Sequence, residues 1–362
     1  MPKILTSLLL VVLLALAFIY FFNNKPQNIP LTKSITQIAN QSNPTPAPTP
    51  FPFQELTIPD LRTREYQSKL GGLEKVSENA SYVSYLTSYT SDGLKINGLL
   101  TQPKNDKPEG GYPAIIFVHG YIPPNSYQTL TRYIDHVDFL ARNGFVVFKV
   151  DLRGHGDSEG EPGGAYYSNE YIIDVLYAHA ALQNSDFLTE QTKREQLINP
   201  KKIGLWGHSM AGNVISRALA AKPDIPAIVI WAGAVYTYKD LSEYGIQDSS
   251  YQPQPSDQER QKKRQQLREL YGDPKDGNPF WEKVAMTNYL TDIKGAIQLN
   301  HAVDDNVVSI GYSRNFNSIL DKTKIPHELH EYPSGGHNII GSSFTSAMQN
   351  TVDFFKKYLE EN

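Results

Sequence analysis

The chain has 362 residues, room for one large domain or two ordinary ones with appendages, and its 24 prolines beside 40% hydrophobic residues imply a globular body carrying an irregular segment. A net charge of −4 is too small at this length to mark a nucleic-acid-binding surface. The lack of cysteine removes disulfides, thiolate zinc sites and thiol catalysis together, and leaves the redox compartment open.

An almost unbroken apolar run from Ile4 to Phe22 follows Lys3 and ends at Asn23, Asn24 and Lys25. At about 1.5 Å per residue it matches the roughly 30 Å core of a bilayer, so residues 1–22 read as a membrane anchor or a signal segment. A small-x-small site lies at Ala15, Leu16 and Ala17, yet the apolar run continues to Phe22, which favours an uncleaved anchor. Lysines on both sides leave the orientation unset. The short leading tail places the body outside the cytoplasm, anchored by one helix, or secreted where the segment is cleaved. From Asn23 to Phe53 the composition turns to Asn, Gln, Thr and Pro, with Pro44, Pro46, Pro48, Pro50 and Pro52 alternating. Such a stretch cannot bury a core and reads as an extended spacer between anchor and body.

From Tyr82 the pattern becomes regular. Alternating Tyr, Leu and Ile flank Ser91, Asp92 and Gly93, a β-hairpin signal. Apolar strands are then expected at 114–118, 145–150, 203–206, 227–231, 297–300 and 328–332, separated by helical patterns such as Ile173, Leu176, Tyr177 and Ala180. This alternation predicts an α/β fold over residues 82–362, a mostly parallel twisted sheet with helices on both faces. In such sheets ligands bind at the carboxyl ends of the strands. A polar insert at about 236–289 breaks the alternation. Ser256 and Glu259 stand at capping-box spacing before the charged helix ERQKKRQQLREL, and the insert reads as a helical cap over the site. Its basic residues suit a solvated helix face, with attraction of an acidic substrate as the alternative.

The stretch KIGLWGHSMAGNVISRALAA, residues 202–221, reads as a buried strand, a turn around Ser209 and a helix opening at Gly212. That is the outline of a nucleophile elbow, although Ala211 stands where G-x-S-x-G has its last glycine. A serine hydroxyl needs a base and backbone donors to act as a nucleophile. His337, in YPSGGHN after the last expected strand, is the candidate base. Asp305, in NHAVDDNVV after the strand before it, is the candidate acid that orients His337, with the adjacent Asp304 as its rival. The candidate oxyanion donors are the N–H groups of Met210, at the start of the elbow helix, and Tyr121, in the His119-Gly120-Tyr121 loop. No cofactor or metal pattern is read, and nothing in the chain sets its oligomeric state.

Those segments together resemble an α/β-hydrolase, and within it the catalytic domain of the prolyl oligopeptidase (S9) peptidases and their esterase relatives. The matching residues are FVHGY at 117–121, DLRGHGDSEG at 151–160, GHSMAG at 207–212, NPFWEKV at 278–284, HAVDDNVV at 301–308 and YPSGGH at 332–337. The resemblance implies a serine peptidase with the triad Ser209, Asp305 and His337. It also implies structural roles for Asp151 and Arg153, with Arg153 and Asp157 bracing their loop, and gives neither His155 nor His208 a proton-transfer role. Two features depart from it: Ala302 replaces a common glycine, and the residues before Tyr82 cannot hold the β-propeller of oligopeptidases, which needs four or more blades of about 40 residues. The function expected is therefore hydrolysis of peptide, amide or ester bonds through an acyl-enzyme, by an S9-like peptidase. The alternatives are a carboxylesterase of the same fold and a non-catalytic binding protein on a hydrolase scaffold.

Overall fold

The computed structural model describes residues 50–164, 166, 168–184, 186–188, 194–249 and 257–360. The apolar run at 4–22, most of the proline-rich stretch and Ser256 lie outside the described residues. Among the described residues no helix is long and apolar enough to cross a membrane.

After a 3-10 turn at Gln54–Leu56 comes helix α1 (Ile58–Thr63), whose N-terminus is closed by the Thr57 hydroxyl accepting the Asp60 N–H at 3.3 Å. Strands β1 (Glu74–Glu78), β2 (Tyr82–Ser91) and β3 (Leu94–Pro103) then form an antiparallel meander. Its tight turn is the expected one, with Asp92 and Gly93 both left-handed (φ 47° and 82°), the geometry that matches the twist of paired strands. β4 (Tyr112–Val118), helix α2 (Ile134–Arg142), β5 (Val146–Val150) and helix α3 (Glu170–Gln183) follow. A separate ribbon of β6 (Asp186–Leu188) and β7 (Arg194–Gln196) leads into β8 (Ile198–His208), helix α4 (Met210–Ala221) and β9 (Ala227–Trp231). The insert contributes α5 (Asp240–Tyr244), α6 (Asp257–Tyr271) and α7 (Pro279–Val284). The chain closes with β10 (Ala296–Ala302), α8 (Gly311–Leu320), β11 (His327–Tyr332) and α9 (Ser342–Leu359).

Among the described residues nine strands make one sheet in the order β1-β2-β3-β5-β4-β8-β9-β10-β11, parallel from β5 to β11. The central strands β4 and β9 read as unbroken apolar runs because helices cover both faces, and every residue of β4, β5 and β9 is buried. One face packs on α1, α3, α4 and α8 through residues such as Ile58, Leu176, Ile215 and Phe316. The other packs on α2 and α9 through Val137, Leu140, Val352 and Phe355. All six expected strands are present. The largest difference is β8, which begins at Ile198, well before Ile203, because its first turns of pleat are polar and half exposed and leave no apolar signature.

Two side chains decide how the periphery is held. Arg217 on α4, fully enclosed, donates to the carbonyls of Leu56 (2.6 Å) and Ser168 (2.9 Å) and to Asn169 Oδ1 (2.8 Å), so the segment before α1 is fastened to the central helix. In the insert, Asn278 caps α7 by accepting the N–H groups of Phe280 (3.0 Å) and Trp281 (3.3 Å), and the buried Trp281 indole donates to the Gly272 carbonyl at 3.0 Å. The NPFWEKV stretch thereby locks the end of α6 to the body. α6 itself is polar nearly all round, and its Leu267 side chain is buried as completely as the core.

Candidate active site

Ser209 sits between β8 and α4 with φ 55° and ψ −117°, a left-handed backbone that a non-glycine residue adopts only under constraint. The constraint is visible. Its N–H donates to the Trp231 carbonyl of β9 at 2.8 Å, and its carbonyl accepts the Gly212 N–H at 2.9 Å. Small neighbours are obligatory: a Cβ on Gly212 would lie 2.8 Å from Gly233 Cα, and one on Gly207 would lie 3.0 Å from the Ala211 carbonyl and Ile215. Ala211, the departure from G-x-S-x-G, is fully buried without strain at its own φ. The elbow helix opens at Met210, two residues before the expected Gly212, so that its first amides follow directly on Ser209.

The two neighbouring aspartates divide the work of holding His337. Asp305, buried at the end of β10, lies 2.8 Å from His337 Nδ1 through Oδ2. The same oxygen takes His301 Nε2 at 3.1 Å, while Oδ1 accepts the N–H groups of Val307 (2.8 Å) and Val308 (3.0 Å). Four donors on two oxygens suit only an ionised carboxylate. Burial alone would raise its pKa, but the hydrogen bonds from His301 and His337 and the attraction of the His337 ring outweigh it and hold the group well below the usual carboxylate range. His337 therefore carries its proton on Nδ1 and presents Nε2 as acceptor. Asp304 is exposed, and its carboxylate instead accepts the N–H groups of Gly336 (2.8 Å) and Gly335 (3.3 Å), the turn that carries His337. Gly335, at φ 131°, leaves no space for a Cβ, which would meet the Ile339 backbone at 2.9 Å.

Three partners were not legible in the sequence. His301 is a buried strut: its Nδ1 meets Ser313 Oγ at 2.8 Å and its Nε2 is shared between Asp305 and the Val308 carbonyl. His208 contacts the His337 carbonyl through Nε2 at 2.8 Å, and Tyr133 meets His208 Nδ1 at 2.8 Å. In the loop after β5, Arg153 braces the loop as the resemblance implied, by tying it to α3, whereas the Asp157 side chain takes no part in that tie. Arg153 pairs with Asp174 of α3 through both Nε and Nη2, at 3.0 and 2.6 Å, and Asp157 faces solvent. A signal for Asp174 did exist, since it is the one acidic residue inside the otherwise apolar stretch YIIDVLYAHAAL.

Ser209 lines two cavities. One, of about 390 Å³, is bounded by Met210, Tyr166, Ile246 and Val308 and by Arg260 and Arg264 of α6. The other, of about 610 Å³, is lined by His337, Thr131, Tyr133 and Ile340. Tyr121 and Asp248 border both. Ser209, His337 and both candidate oxyanion residues, Tyr121 and Met210, are thus brought to one place, and Asp305 stands behind His337 out of solvent. α6, read from sequence as a solvated face, contributes two of its arginines to a cavity wall.

Comparison with known proteins agrees with this architecture. Residues 112–249 match the family model described as serine aminopeptidase, S33. An uncharacterized peptidase of Bacillus subtilis, YuxL, is 29% identical over 171 residues, covering 43% of this chain and 24% of that protein. The thiohydrolase aneE of Aspergillus aculeatus is 30% identical over 140 residues, covering 39% of this chain and 38% of that one. The chain thus spans between 24% and 38% of the length of these two curated relatives. Among solved structures, acetyl xylan esterase 1 from Thermoanaerobacterium superposes with a TM-score of 0.55 at 18% identity, over 84% of this chain and 94% of that one. Dipeptidyl peptidase 4 of Porphyromonas gingivalis gives 0.55 at 20% identity, over 77% and 36%. With its parallel sheet, its elbow serine and neighbours drawn alike from peptidases and esterases, the chain has the fold of the α/β hydrolases.

Proposed function

We propose that the protein is a serine hydrolase that cleaves peptide, amide or ester bonds through an acyl-enzyme on Ser209. The observation that carries this reading is the 2.8 Å contact between Asp305 and His337 Nδ1, with Nε2 left as the base and Ser209 lining the same cavity. In the proposed cycle the Ser209 hydroxyl attacks the carbonyl carbon while His337 Nε2 takes its proton. The N–H groups of Tyr121 and Met210 receive the oxyanion. His337 then returns the proton to the leaving group, and water repeats the sequence to release the acid.

The two cavities suggest a division of the substrate. The leaving group must lie on the side of the residue that protonates it, so the larger groove beside His337 holds the leaving group and the smaller cavity under α6 holds the acyl group. An open leaving-group groove favours a peptide or aminoacyl amide, the S9-like reading. A carboxylesterase is the second reading, supported by an acyl cavity of about 390 Å³, which suits a compact acyl group.

Labelling of the folded protein by a fluorophosphonate probe, with Ser209→Ala as control, tests the nucleophile. Turnover of short acyl nitrophenyl esters against Xaa-Pro and other aminoacyl amides then separates the two substrate classes. Absence of label on wild-type protein that is folded by circular dichroism would return the chain to a binding role.

A further inference from the structure

We infer that Tyr133 and His208 form a positioning bridge that couples the oxyanion loop to the loop carrying the base; the inference rests on the hydrolase reading for its kinetic consequence. The bridge has three links. The Gly120 N–H, one residue before Tyr121, donates to the Tyr133 hydroxyl at 3.2 Å. That hydroxyl meets His208 Nδ1 at 2.8 Å, and His208 Nε2 meets the His337 carbonyl at 2.8 Å.

The direction of every link follows from what each atom can do. A carbonyl only accepts, so His208 Nε2 carries the proton. Burial first, and then the neighbouring His337 ring, push the His208 pKa well below its ordinary value, so the ring is neutral and its Nδ1 is an acceptor. Tyr133 already accepts from Gly120, so its own proton points to Nδ1. Burial raises the Tyr133 phenol to about 12, which keeps that proton in place. The chain of donors therefore runs one way, from the oxyanion loop to the base loop, across positions far apart in sequence.

Two further observations show that the bridge is built into the fold. Gly120 has no room for a side chain: a Cβ there would stand 2.9 Å from His208 Nδ1 and 3.1 Å from the Tyr133 oxygen. Tyr133 itself is held left-handed at φ 59°, a strained backbone that aims its ring inward from the start of α2. The His208 ring also lies against the His337 ring, with centroids 4.7 Å apart. A neutral ring in that place tolerates the imidazolium that His337 becomes during attack, whereas a charged one would oppose it. Tyr133 and His208 are positioning residues, since neither exchanges a proton with substrate.

Tyr133→Phe removes one oxygen and keeps the ring. It leaves the Gly120 N–H and His208 Nδ1 without their shared partner. The expected result is a kcat at least about 10-fold lower with KM within about 2-fold, and fluorophosphonate labelling of Ser209 slowed by the same factor. Amide hydrogen exchange in residues 335–340 should accelerate at least about 5-fold while strands β4 and β8 keep their protection. His208→Asn breaks the same chain from the other end and serves where Tyr133→Phe does not fold. The double variant should lose no more than the worse single one. Unchanged exchange in residues 335–340 overturns the bridge whatever happens to kcat, because the hydroxyl then acts on Gly120 alone. Independent, multiplying losses in the double variant overturn it as well. If wild-type protein takes no label, the hydrolase reading fails, and the exchange measurement still decides whether the loops are coupled.

Discussion

Two buried aspartates follow strands of the same sheet and have opposite electrostatics. Asp151, directly after β5, accepts the hydroxyls of Tyr127, at 2.5 Å, and Thr129. Burial raises its pKa, the two hydroxyls only partly offset that, and the result is a carboxyl pushed up to about 6. Asp305, after β10, is also penalised by burial, yet His301, His337 and two backbone amides hold it well below the carboxylate range. Lys149 does not settle the matter for Asp151, because its ammonium donates to the Thr129 and Arg132 carbonyls instead. The lesson concerns donor type. Hydroxyl donors stay neutral, whereas an imidazole can become a cation, so only Asp305 gains as charge builds on its partner. Position at a strand end does not by itself make an aspartate the acid of a triad.

The comparison breaks first under activity measurements. Asp305→Asn is expected to lower kcat by about 10³- to 10⁴-fold, close behind Ser209→Ala and His337→Ala, because His337 loses the partner that fixes its tautomer. Asp151→Asn should change kcat by less than about 10-fold. Steady-state kinetics on an ester substrate, with folding verified by circular dichroism, checks both. Similar losses in the two variants would mean that the Asp151 loop reaches the chemistry and that the contrast between them is wrong.

Stability against pH sharpens it next. The folded pKa of Asp151 lies above its unfolded value, so between about pH 4 and 6 the folded state holds a proton that the unfolded chain has released. Stability should therefore fall as pH rises through that window, by at most about 3 kcal/mol for a shift of this size. Asp151→Asn should flatten this slope in urea titrations run across the window. Asp305 has the reverse sign: its folded pKa is depressed, so its contribution is complete above about pH 4 and is lost as pH falls below that. Asp305→Asn should make the acid limb shallower and leave the slope between pH 4 and 6 unchanged.

Much of this contrast was legible in the residues, and the part that was not has a common cause. The strands at 114–118 and 227–231 announce themselves because both of their faces are covered, and Ser209 and His337 follow strands in motifs with few alternative readings. β1 was invisible, since a five-residue strand that is mostly exposed on both faces carries no periodic apolar signal. Asp174 left only the signal of a lone acid in an apolar run, whereas Tyr133 acts through partners on other elements, and pairings of that kind leave no local pattern. Tyr133 and His208 are 75 positions apart, and they meet where Tyr133 and His136, at the start of α2, lie against Trp206 of β8. The cap shows the same limit. Its charged helix is solvated along most of its length, as composition suggests, but composition does not tell that Arg260 donates to the Gly163 carbonyl at 3.2 Å or that Arg260 and Arg264 line a cavity.

Asp304 gives the smallest effect and the finest distinction. It does not touch the His337 ring, and it shapes the turn below it through the N–H groups of Gly335 and Gly336. Asp304→Asn keeps one carbonyl oxygen and so can retain one of the two bonds, which leads to an expected kcat loss of about 2- to 5-fold with little change in KM. Asp304→Ala, which keeps neither, should lose more than Asp304→Asn and still far less than Asp305→Asn. Steady-state kinetics on the single variants, with folding verified by circular dichroism, checks this order. If Asp304→Asn is the damaging change and Asp305→Asn is mild, the roles of the two aspartates are exchanged.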